Sequence, residues 1–96
     1  MYNIDDKRVH TVASLQQLMN NPNTRPFQFR TRYERTMIKL QSLAKAMGNE
    51  DLERDAISSL DKMRHIVDKS NSTSDGVLRS FSILAPEIKK FIEILS

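Results

Sequence analysis

The chain has 96 residues, 39% of them hydrophobic and 28% charged, with a formal net charge of +3 and a pI near 9.5. That length and balance describe one globular domain and exclude a disordered or strongly polycationic protein. There is no cysteine, so disulfides and thiolate metal sites are excluded. A chain this short buries only roughly 60–65% of the surface its unfolded form exposes.

A core that thin needs good helix packing, a bound partner or self-association to hold it. Apolar runs are only a few residues long, too short to span a membrane. The first residues, Met1 to Asp6, have neither the cationic start nor the apolar run of a signal peptide. The expected location is the cytoplasm, where the glycosylation sequon Asn71-Ser72-Thr73 has no role.

Helical spacing dominates the chain in order. Asp5 or Asp6 caps a first helix over residues 6–20, with Val9, Val12, Leu15, Leu18 and Met19 on one side; Ser14 with Gln17 is an alternative start. Asn20 to Pro26 crowds turn formers around two prolines and reads as a loop. Phe29, Tyr33, Met37, Leu40, Ala44 and Met47 then recur every three or four residues, predicting a helix over 28–47. Gly48 suits the left-handed position that ends it, and Asn49 suits the cap of the next.

Leu52, Ala56, Leu60, Met63 and Val67 place a third helix over 50–69, with Glu50, Asp51 and Glu53 at its positive end. So short a link predicts an antiparallel hairpin of helices two and three. After a polar loop from Asn71 to Gly76, the residues Val77, Phe81, Leu84, Ile88, Phe91 and Leu95 keep a helical rhythm. Pro86 interrupts it, and either one kinked helix or two helices fit. The break is the expectation, with helices over 76–84 and 86–95 and Pro86 opening the second. The fold class is all-α, a small bundle of four or five helices around the central hairpin.

Charge is unevenly spread. From Arg25 to Lys45 there are six cations and one anion, and from Glu50 to Lys69 six anions and four cations. Arg25, Arg30, Arg32, Arg35 and Lys39, interleaved with Phe27, Phe29 and Tyr33, are candidate nucleic-acid contacts: guanidinium groups fork onto phosphates while exposed aromatics stack on bases. Phe29 and Tyr33 also belong to the apolar stripe, which assigns them to the core instead.

Catalytic signals are sparse. His10 and His65 are the only histidines, and Asp61 lies one turn before His65, a spacing that also describes an ordinary surface pair. Histidine phosphotransfer domains use one exposed histidine followed three positions on by a basic residue and then glycine. Here Asp68 occupies that position, and its carboxylate repels an incoming phosphoryl group. Neither a metal, a cofactor, a small-molecule substrate nor a membrane is expected.

Ile88, Phe91, Ile92, Ile94 and Leu95 crowd the last nine residues, and so apolar an end is either docked in the fold or buried against a partner. The expected function is a non-enzymatic interaction module, an adaptor, inhibitor or assembly factor, binding another protein or a second copy of itself through that helix face. Nucleic-acid binding by the segment from Arg25 to Lys45 is the alternative.

Overall fold

The computed structural model describes residues 4–20, 25–70 and 74–96. They form four helices and no strand: α1 (Ile4–Asn20), α2 (Pro26–Met47), α3 (Glu50–Ser70) and α4 (Ser74–Leu95). The middles of both polar loops, and with them the sequon, lie outside the described residues.

Each helix boundary has a local cause. Asp5 and Asp6 lie in the first turn of α1, where carboxylates favour the exposed N–H groups. α2 starts two residues earlier than its apolar stripe suggests, because Pro26 has its φ preset for the first turn and lacks the N–H that would be orphaned there. Arg25 before it is extended (φ −80°, ψ 120°), as a residue preceding proline tends to be. At the other end Gly48 takes φ 71°. The Asn49 N–H then reaches the Ala44 carbonyl at 2.9 Å and the Gly48 N–H reaches Lys45 at 3.2 Å, satisfying two carbonyls of the last turn. Asn49 in turn caps α3, its Oδ1 accepting from the Leu52 N–H at 3.1 Å.

α2 packs most extensively on α3, α1 on α2, α3 on α4, and α4 closes back on α1. Long-range contacts give the directions. Lys7 near the start of α1 meets Ser42 near the end of α2. Glu34 pairs with Arg64 across the α2–α3 hairpin. Lys62 meets Glu87 across α3 and α4, and Arg8 meets the last residue of α4 through the Leu95 carbonyl. Neighbours are therefore antiparallel throughout, an up-down-up-down bundle measuring 41 × 22 × 21 Å.

Inside lie Leu15 and Leu18 from α1, the predicted stripes of α2 and α3 apart from the exposed Met47, and Val77, Leu84, Ile88, Phe91 and Leu95 from α4. Phe29 stacks at 5.9 Å from Tyr33 and meets Phe81 edge-on at 6.3 Å, joining α2 to α4 across the diagonal. Buried hydroxyls are satisfied locally: Thr11, Thr36 and Ser80 donate to the carbonyls of Lys7, Arg32 and Gly76, four residues back in each case.

The expected break at Pro86 does not occur; α4 runs through it as one helix. Pro86 itself is exposed, and the buried row continues in phase from Val77 through Leu84 to Ile88, Phe91 and Leu95. Burying each of those side chains contributes about 1.5–3 kcal/mol, against about 3 kcal/mol for one proline in a helix interior. Packing outweighs the local preference.

Candidate functional site

The C-terminal residues divide. Ile88, Phe91 and Leu95 lie in the chain's own core at 0%, 3% and 2% exposure, so they do not form the accessible face expected of them. Ile92 is half-buried, and Ile94 is exposed on the α3 side of α4, in line with Ile83 eleven residues earlier. One apolar terminus thus does two jobs: closing the bundle and leaving two isoleucines at its edges.

Apolar surface is left accessible where α1 meets α4. Five partly buried hydrophobic residues pack against the core, and four of them, Val12, Met19, Phe81 and Ile92, belong to these two helices. The seam opens into a shallow groove lined by Met19, Phe81, Ser82, Ala85, Pro86 and Lys89. Leu78, on the same stripe of α4 as Phe81 and Ala85, is 44% exposed at its upper end. Pro86 matters chemically here: its ring nitrogen carries no hydrogen to bond the Ser82 carbonyl one turn earlier. Sequence spacing placed only Phe81 of the α4 lining on its apolar stripe; that α1 would leave this edge half covered depends on how the helices dock.

The five candidate cations also divide. Seven-residue spacing places Arg32 and Lys39 on one line of α2, with Arg35 beside it and Arg25 in the extended residue just before the helix. That line faces α1, because Lys39 Nζ lies 3.4 Å from Ser14 Oγ. Lys7 joins from α1, donating to Ser42 at 2.6 Å. Arg30 falls on the opposite flank with Glu34, which pairs with Arg64 of α3 at 3.0 Å. On α3, Arg54, Lys62 and Arg64 reach carboxylates, while Lys39 of α2 reaches the Ser14 hydroxyl. Phe29 and Tyr33 are fully buried and cannot stack on a base; Phe27 is 79% exposed but lies towards the α3 side, in line with Ile38.

Asp61 and His65 are both exposed on α3, and His10 is exposed on α1. Among the described residues no group of His, Asp or Glu is placed to hold a metal ion, and no helix is long and apolar enough to cross a membrane. Among the described residues Tyr33 is the one group with a strongly shifted ionisation. Burial pushes its phenol well above the ordinary range, the hydrogen bond to Ser59 offsets part of that, and the Glu87 carboxylate adds to it. The phenol is held neutral inside the core, hydrogen-bonded to Ser59.

Compared with known protein families, with curated proteins and with solved structures, the chain matches none.

Proposed function

We propose that the protein is a non-enzymatic interaction module whose binding face is the α1–α4 groove, and that its occupant is an amphipathic helix of another protein. One observation carries this reading: four of the five hydrophobic residues left half covered at the margin of the core line up along that one seam. A helix laid in such a groove buries its apolar face there and completes the cover. Lys89 at the rim favours a carboxylate on the incoming helix.

The test compares the wild type, Leu78→Asp/Lys89→Glu and Arg35→Ala/Lys39→Ala as baits in extract of the source cells. All four positions are exposed, so each variant stays within about 0.5 kcal/mol per substitution of wild-type stability. The expected result is a bound protein lost from the groove variant and kept by the other. A wild-type dimer that Leu78→Asp/Lys89→Glu dissolves would make the occupant a second copy through the same face. Identical retention by all three baits, or none by the wild type, contradicts the proposal.

A further inference from the structure

We infer that the α1–α2 seam is a second binding face, for the phosphate backbone of double-helical nucleic acid, without base readout. The face is built from Arg32, Arg35 and Lys39 of α2, Arg25 just before that helix, and Lys7 of α1. The run from Arg25 to Lys39 covers fourteen residues of rise, about 21 Å along a straight helix. A row of that length lies against several phosphates of a duplex, which carries one charge per about 1.7 Å of its axis. Only one carboxylate belongs to α2, and it is turned away towards Arg64.

Two features decide the kind of nucleic acid. Single-stranded ligands are held largely by bases stacked on exposed aromatics. The aromatics interleaved with these cations do not supply that platform: Phe29 and Tyr33 are in the core and Phe27 lies on the other flank. Direct readout needs a helix inserted in the major groove. α2 cannot enter one, since α1 and α3 pack against its two flanks. Contact is thus confined to the phosphate ridge, where Lys and Arg position a protein without specifying sequence.

The inference uses residues outside the α1–α4 groove and is tested separately from it. The probe is a fluorescent 20-base-pair DNA of arbitrary sequence, with a single strand of equal length and vesicles of anionic phospholipid as competing arms. If all five cations contact phosphates, the logarithmic salt slope is about −4.5, so affinity falls about 500-fold between 50 and 200 mM salt. Arg32→Ala/Arg35→Ala/Lys39→Ala should cut that fall to about tenfold. Arg35→Ala/Lys39→Ala, at two exposed positions, gives an intermediate slope should the triple variant fold poorly. Arg79→Ala/Lys90→Ala, at two exposed positions of α4 outside the groove, should leave the slope unchanged. The inference is overturned by absence of duplex binding at 50 mM salt, by an unaltered slope in both α2 variants, by an equal loss in the α4 variant, or by tighter binding to the single strand or the vesicles than to the duplex.

Discussion

The Tyr33 hydroxyl sits inside the core 2.5 Å from Ser59 Oγ, so each supplies the other's hydrogen-bond partner. Tyr33→Phe removes one of the two and leaves the Ser59 hydroxyl buried alone, a loss of about 1–2 kcal/mol at neutral pH. Alkaline pH separates this residue from the rest. The folded phenol ionises well above the ordinary tyrosine value near 10. In the unfolded chain it gives up its proton first, so the folded state holds more protons above pH 10. Its contribution is complete below pH 10 and declines above it by up to about 1.4 kcal/mol per pH unit. Denaturant unfolding of wild type and Tyr33→Phe between pH 9 and 11.5 should show the wild type losing stability more steeply. Parallel curves would contradict this.

Gly48 is a second residue with a single physical reason. Its φ of 71° is left-handed, and a Cβ added there would meet nothing within 4 Å. Gly48→Ala therefore costs only the backbone strain, about 1–2 kcal/mol, with the hairpin intact. A larger loss in thermal unfolding would mean that the turn makes contacts beyond its own conformation.

At the scale of the element, α4 shows what periodicity conveys and what it omits. The spacing from Val77 to Leu95 was legible and correctly described one continuous stripe, yet Pro86 argued locally for two helices. Local rules weigh one residue against its own turn; the outcome was set by five buried side chains summed along the helix. If proline is the strained point that packing overrides, Pro86→Ala should stabilise the protein by about 3 kcal/mol in urea unfolding. No gain would show that the helix is already distorted to accommodate the ring. α1 is the weaker case for the same reason. Val9, expected inside, is 60% exposed, because its stripe was drawn too wide for the two neighbours that cover α1.

For the whole molecule, the hairpin and the helical class could be read from Phe29, Tyr33, Met37, Leu40 and the Gly48-Asn49 turn. The functional faces could not. Spacing tells which residues share a line, and it does place Arg32 and Lys39 together; it does not tell which line a neighbouring helix covers. Ile88, Phe91 and Leu95 went inside while Ile92 stayed at the margin, and Lys7 joined cations 18 to 32 positions away along the chain. The groove and the cationic row both border α1, so the placement of that helix by α4 and α2 governs both proposals.

That placement depends on α4 folding back into the core of its own chain. An isotope-filtered nuclear Overhauser experiment on mixed labelled and unlabelled protein reports it directly, through the Phe29 and Phe81 rings, whose centroids lie 6.3 Å apart. The account predicts that this ring contact appears within one labelled chain. A contact seen only between chains, or not at all, would contradict it.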